Sequence, residues 1–308
     1  MTGRWFKTPD GRSLRRQPSP LEQYLRKNEP PLAASRDIVP SLSEQPAASA
    51  DAEPDYRTDD SDPRQTRGCE VTVFGAGSVG SHLVYYMAPG GLTFNVIDCK
   101  AVEYKHVRGG RTAYDSTHIG LMKVEALKRK IEAEHLGASV RPYPFDVAEL
   151  TTLDLRDMLE RSWVVILAID DPEQILRISD LAYPMVDVIQ TAMHAQGRTS
   201  HIAISMPLLT PCLRCTLGIT GSQDLTRLDS EPASSLDIMN LANQGARFAA
   251  DIVYSKVTGQ QITRWDISKN LIYLSHRMDQ FSPAGPGLHY EVSQRRPGCP
   301  ICNPTGPQ

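Results

Sequence analysis

Two rhythms of apolar positions run along this chain. Unbroken apolar stretches in "EVTVFGAG", "TFNVIDCK" and "WVVILAIDD" predict strands buried on both faces, with "SVRPYPFDV" as a further strand. Between them, Leu121, Val124, Leu127 and Ile131 recur at helical spacing, and "SVGSHLVYYMAPG" and "LDLRDMLERS" read as two more helices. Strand–helix alternation of this kind predicts an α/β fold, a Rossmann-like and mostly parallel sheet with helices on both faces. The character then changes. "DVIQTAMHAQGRTSHIAISMPL" reads as strands with turns, "SSLDIMNLANQGARFAADIVYSKVTG" as a long helix with Ala and Gly at packing positions, and "NLIYLSHRM" as one more strand, so the C-terminal part should carry mixed strands.

The first 68 residues lack either rhythm. From Pro18 to about Gln65 the chain is rich in Pro, Ala, Ser, Asp and Arg, which predicts a largely disordered N-terminal extension over 1–68. Within it, "RWFKTPDGRSL" suits a small hairpin around its Pro-Asp-Gly turn, and "SPLEQYLRK" suits either one short docking helix or a frayed tail. The ordered domain is expected over 69–308.

Composition removes some functions. With 308 residues, 40% hydrophobic and 22% charged, the chain can bury a full core; a net charge of −3 gives no bulk attraction to nucleic acid or membrane. No apolar run approaches the roughly 20 residues of a membrane helix and the start has no signal-peptide core, so the cytoplasm is the expected location. Four of the six cysteines form two C-x-x-C pairs, Cys212/Cys215 and Cys299/Cys302. Together they can offer four thiolates to a closed, structural zinc site; redox chemistry by one pair is the competing reading and leaves the other unexplained.

Gly75, Gly77 and Gly80 form G-x-G-x-x-G between a predicted strand and a predicted helix, as in a nucleotide-binding turn. Asp98 ends the second strand, where a carboxylate can accept from ribose hydroxyls. NAD-dependent dehydrogenases and adenylating enzymes share both features, and the turn alone does not choose.

The following stretch, "VIDCKAVEYKHVRGGRTAYDSTHIGLMKVEAL", resembles the ThiF/MoeB-like adenylyltransferases, the superfamily of the ubiquitin-activating (E1-like) enzymes. Val102, His106, Val107, Arg108 and Arg111 lie where that family has Val-x-x-x-Asn-Leu-x-Arg-Gln, and Gly120 and Lys123 match its Gly-x-x-Lys. "LAIDDPEQILR" resembles its Asp-Asn … Arg site, and "CLRC" and "PGCPIC" resemble its zinc half-sites. The resemblance covers roughly Cys69 to Cys302.

It implies a ThiF-type adenylation domain over 69–308 that uses ATP, Mg²⁺ and Zn²⁺. The substrate it implies is the C-terminal glycine carboxylate of a ubiquitin-like or sulfur-carrier protein. Gly75, Gly77, Gly80 and Asp98 would bind the nucleotide. Lys123 with Arg111 or Arg108 would neutralise its phosphates, and Asp170, seconded by Asp171, would hold magnesium. Cys212, Cys215, Cys299 and Cys302 would hold zinc. The family's thioester-forming cysteine has no counterpart in "TLGITGSQDLTRLDSEPASSLDIMN", and Cys69 and Cys99 read as packed thiols, so the acyl-adenylate itself is the expected product. A homodimer is implied, with Arg57, Arg64 or Arg67 as substitutes for the family's trans-acting arginine, and a conjugating-enzyme-like partner is a further expectation. Two alternatives are adenylation of a tRNA-borne or small-molecule carboxylate, and a non-catalytic nucleotide-binding scaffold. A dehydrogenase ranks last because no hydride-transfer acid/base is recognisable.

Overall fold

The buried runs become strands and the periodic segments the helices that cover them. The computed structural model describes residues 5–7, 13–15, 63–194, 197–219, 233–262, 265–276 and 287–303. By packing, the chain divides into two units, 1–60 and 61–308. In the first, β1 (Trp5–Lys7) and β2 (Ser13–Arg15) pair antiparallel with Trp5 opposite Arg15, the hairpin expected around Pro-Asp-Gly. The short helix expected in "SPLEQYLRK" lies outside the described residues.

The second unit is built on one eight-stranded sheet. Its strands are β3 (Glu70–Phe74), β4 (Thr93–Ile97), β5 (Ser139–Tyr143), β6 (Val164–Leu167), β7 (Asp187–His194), β8 (Thr199–Ser205), β9 (Leu271–Ser275) and β10 (Gly287–Glu291). The spatial order is β10-β9-β8-β7-β6-β3-β4-β5. From β5 to β7 every pair is parallel; β8, β9 and β10 continue the sheet antiparallel. The predicted α/β architecture with C-terminal mixed strands is therefore the one observed. Strand order reverses between β3 and β6, and the crevice at such a switch point is where open α/β sheets bind ligands.

Helices α1 (Ser78–Met87), α2 (Lys123–Glu134) and α5 (Ser235–Thr258) share one apolar core with Val71, Val73, Phe94, Val96, Val164 and Ile166. Strand side chains alternate between faces, so these six share one face of the sheet. Gly245 of α5 permits the close fit: a Cβ there would stand 3.0 Å from Leu83 Cδ2 and 3.3 Å from Thr191 Cγ2. Near its end, Lys256 donates to the Trp163 carbonyl at 2.7 Å and pairs with Asp187 at 2.9 Å, both at the amino edge of the sheet. The beginning of α5 accordingly lies toward the carboxyl edge.

Helices α3 (Thr152–Arg161) and α4 (Pro172–Ala182) complete the framework. Packing also reaches upstream of Cys69, because Thr66, in a helical turn over Pro63–Thr66, is buried and donates to the Gly90 carbonyl at 2.7 Å.

Candidate active site

Gly75 follows β3 with φ +96°, a conformation that disfavours a side chain, and a Cβ there would lie 2.4 Å from the Ala168 carbonyl oxygen. At Gly80 a Cβ would stand 2.0 Å from the Gly75 oxygen. These two glycines let strand and helix meet. Gly77 differs: it starts α1, its Cβ would meet nothing within 4 Å, and no side chain caps the helix. The first-turn amides of α1 thus face a space where an anion can approach.

Asp98 is fixed to this turn. One carboxylate oxygen accepts from the Ala76 amide at 2.9 Å and the other from the Lys100 amide at 2.8 Å. Each oxygen retains a second lone pair, the capacity a ribose hydroxyl needs. Below the turn, the buried Tyr114 hydroxyl donates to the Ala76 carbonyl at 2.8 Å, and the Ala113 amide donates to Ser81 Oγ at 3.1 Å. Burial and the Asp98 charge push the Tyr114 hydroxyl well above its ordinary pKa, so it stays a donor. Neither Tyr114 nor Ser81 was legible as a site residue. A buried tyrosine always needs a partner for its hydroxyl, but only the folded chain shows which one.

Lys123 opens α2 and is only 5% exposed. No hydrogen bond or ion pair to its ammonium is found among the described residues. Burial lowers its pKa below the usual lysine range; Asp98 and Glu103 oppose that shift, and Lys100 and Lys105 add to it. A buried cation beside other cations is poorly balanced alone and suits a polyanion. Its backbone is set by the 101–122 segment, which closes on itself through an Ala101–Met122 bridge and a Val102-to-Leu121 hydrogen bond of 2.8 Å.

Arg108 is exposed and Arg111 half-buried, with a buried Nε that has no partner among the described residues. Both line a cavity of about 590 Å³ with Tyr104, Lys105 and the start of α5 at Ser234 and Ser235. His106 instead serves its own turn, its Nδ1 accepting from the Glu103 amide at 2.8 Å.

Asp170 is exposed just beyond the carboxyl end of β6, beside β3. Asp171 is committed elsewhere, since its Oδ1 caps α4 by accepting from the Glu173 and Gln174 amides at 3.0 and 3.2 Å. Arg177, the arginine of "LAIDDPEQILR", donates to the Val147 and Leu150 carbonyls and so ties down its own fold. The sheet therefore gathers the glycine turn, Asp98, Lys123 and Asp170 along one edge. Arg108 and Arg111 face the adjoining cavity, which Lys123, Asp98 and Asp170 do not line.

The cysteine pairs do come together. The sulfurs of Cys212, Cys215, Cys299 and Cys302 all lie within 4.8 Å of one another, with Cys212–Cys299 and Cys215–Cys302 at 3.6 Å. A zinc tetrahedron with bonds of about 2.3 Å has edges near ~3.8 Å, so the donor set fits. The Arg296 amide donates to Cys215 Sγ at 3.4 Å, as support around a thiolate would. Cys99, expected to be packed, is exposed. Partial shielding of the sulfur and the Asp146 and Asp98 charges raise its pKa, which opposes thiolate formation. Arg67 lies alongside Gly91 and Gly137, which precede β4 and β5 at the edge opposite this site. Arg57 and the Arg64 side chain are outside the described residues.

Comparison with known proteins bears on the fold and the family. The model of the ThiF family matches residues 56–256. "Adenylyltransferase and sulfurtransferase UBA4" of Vanderwaltozyma polyspora is 26% identical over 153 residues, 48% of this chain and 34% of that protein. The chain thus spans about a third of that curated relative. Among solved structures, E. coli MccB with ATP superposes with a TM-score of 0.59 at 17% identity, covering 78% of this chain and 68% of the other. E. coli MccB with MccA-N7isoASN gives 0.62 at 15%, covering 78% and 69%. At such identity the two structures show a shared fold. Among the described residues no helix is long and apolar enough to cross a membrane.

Proposed function

The chain belongs to the ThiF family of E1-like adenylyltransferases, and on that premise we propose that it activates the C-terminal carboxylate of a carrier protein or peptide with ATP. A terminal glycine on a ubiquitin-like or sulfur-carrier protein is the form of substrate this reading favours. The observation that carries it is Lys123, a buried ammonium unpartnered among the described residues, beside an Asp98 already fastened to a glycine turn. A triphosphate, with about twice the phosphate charge of a nicotinamide dinucleotide, gives more reason for a further cation there.

In the proposed reaction a carboxylate oxygen attacks the α-phosphorus of ATP. The bond from that phosphorus to the oxygen bridging to the β-phosphate breaks, and pyrophosphate leaves. The α1 amides at Gly77 receive phosphate oxygens, and Asp98 accepts from the ribose. Lys123 offsets charge that grows during attack, with Arg111 and Arg108 receiving the departing pyrophosphate in their cavity. Asp170 would hold magnesium, which when bound supplies Lewis-acid neutralisation of the phosphates. The four cysteines would hold a structural zinc. Residues 1–68 serve as an extension to an adenylation domain over 69–308, and a homodimer and a conjugating-enzyme-like partner belong to the same reading.

Exchange of labelled pyrophosphate into ATP tests it. Exchange that depends on a peptide or carrier ending in Gly-Gly is the expected result. ATP turnover stimulated by tRNA, with no response to any such carrier, would overturn it in favour of a nucleic-acid-borne carboxylate.

A further inference from the structure

β10 closes the strand order on one side of the sheet, and all five of its residues are exposed. Its backbone nonetheless has a direction. The Ile204 amide donates to the Asn270 carbonyl at 2.8 Å and the His276 amide to the Arg198 carbonyl at 2.9 Å, at the two ends of the β8–β9 ladder. Hydrogen-bonded pairs alternate along an antiparallel ladder, so Ile272 and Leu274 turn their backbone to β8, while Leu271, Tyr273 and Ser275 turn theirs to β10. Those three pair with Glu291, His289 and Gly287. Leu288 and Tyr290 therefore point amide and carbonyl away from the sheet, where no described strand meets them.

The side chains do not guard this rim. Lysine and proline commonly blunt a free edge, and "GLHYEVS" has neither. Leu288 and Tyr290 stand opposite the core residues Leu274 and Ile272, so with Val292 they carry the apolar face of the sheet to its rim at 38%, 43% and 59% exposure. On the other face stand His289 and Glu291, whose side chains have no hydrogen bond or ion pair among the described residues.

The rim complements itself. Laid antiparallel on a second copy about Tyr290, "LHYEV" sets Leu288 opposite Val292, His289 opposite Glu291 and Tyr290 opposite Tyr290. These are an apolar pair, a basic–acidic pair and an aromatic pair, the kinds that stabilise neighbouring strands. Leu288, Tyr290 and Val292 share the outward alternation, so the ladder would close about six backbone hydrogen bonds. Centring it on His289 instead sets imidazole against imidazole and each Glu291 against a glycine.

We propose that two copies of this chain pair through β10 about a twofold axis at Tyr290, so that the sheet continues from one copy into the other. This goes beyond the adenylation reading and does not depend on it. The axis reverses strand direction, so the nucleotide edges of the two copies face opposite ways and neither copy reaches the other's nucleotide through this contact. A five-residue strand on each side makes a small interface, and the dimer is expected to be weak and concentration-dependent.

Sedimentation velocity of the full chain, from low micromolar to sub-millimolar concentration, tests the pairing. The unaltered protein should pass from monomer to dimer as concentration rises. Tyr290→Lys, which sets two ammoniums together on the axis, should raise the dissociation constant by roughly tenfold or more. His289→Glu should weaken pairing several-fold, and joining it with Glu291→His should restore it, because the exchanged charges meet again only in this register. Tyr290→Cys should form a disulfide between copies on mild oxidation, since its Cα atoms would lie about 5.5 Å apart, whereas His289→Cys, facing Glu291 of the second copy, should not. Thermal melts at low concentration should be unchanged throughout, and should Tyr290→Lys misfold, the charge exchange decides alone. A chain that stays monomeric at every concentration overturns the proposal. So does a dimer indifferent to these variants, which would use another face, or a double exchange that fails to restore pairing. A monomer that binds an added Gly-Gly peptide and loses it in Tyr290→Lys would overturn it in favour of a foreign strand. Pyrophosphate exchange, measured beside these, judges the adenylation reading separately.

Discussion

The nucleotide edge and the cysteine cluster are both assembled from distant sequence, yet they treat their polar groups in opposite ways. At the edge and in the cavity beside it, Lys123 and the Nε of Arg111 are withdrawn from water without partners among the described residues, and Gly77 leaves the amides of α1 uncapped. In the cluster, the four sulfurs converge on one another, Arg214 grips Asp180 through 2.8 and 2.9 Å bonds, and the Tyr183 hydroxyl donates to the Thr210 carbonyl at 2.8 Å. Groups that complete each other hold a fold together. Groups left incomplete cost stability and are held for something that arrives.

The largest expected effect tests the incomplete side. Asp170→Ala and Lys123→Met should each lower exchange by on the order of 100-fold or more, the usual loss when one charge-stabilising group is removed. Lys123→Met should also raise the melting temperature, because an unpaired buried ammonium is deleted. The pH dependence has a definite sign. With the folded pKa of Lys123 lowered by burial, the unfolded chain holds more protons in the alkaline window between the two pKa values. The lysine's penalty therefore fades as pH rises, and the stability advantage of Lys123→Met should narrow there. A variant that melts lower yet exchanges normally would erase the distinction between the two regions.

Metal removal probes the complete side. Purified protein should carry one zinc per chain by elemental analysis, and Cys299→Ser or chelation should cost about 3 kcal/mol or more in unfolding while changing ATP affinity much less. Gly77→Ala should weaken ATP binding by roughly tenfold with a stability change under about 1 kcal/mol, whereas Gly80→Ala should destabilise the fold itself. Isothermal titration beside thermal melts separates those outcomes. Smallest of all, Tyr114→Phe should cost about 1 kcal/mol through the hydrogen bond lost by the Ala76 carbonyl.

What could be read in advance follows the range of the interactions. The glycine turn, β4 and the place of Asp98 are settled within one strand–helix–strand passage, and local pattern shows them. Helix α4 is also signalled locally, by Asp171 as cap and Pro172 in the first turn. Strand β10 left little trace, because all five residues are exposed and only pairing with β9 makes them a strand. The exposure of Cys99 and the backbone role of Arg177 depend on which loops come to lie beside them, and one-dimensional spacing does not encode that. The resemblance supplied Lys123 and Asp170 as a set, where each alone reads as an ordinary helix start or strand end.

The cysteine contacts span 87 residues of chain, and α5, β9 and β10 all lie inside that span. A metal holding both ends would close a loop whose entropy is on the order of 4–5 kcal/mol by the estimate used for covalent cross-links. Opening the clasp would thus act chiefly through the entropy of the unfolded chain, while α5 and β9 keep their own packing on the sheet. Because α5 begins at the cavity of Arg108 and Arg111, the span between the two cysteine pairs includes one wall of the site.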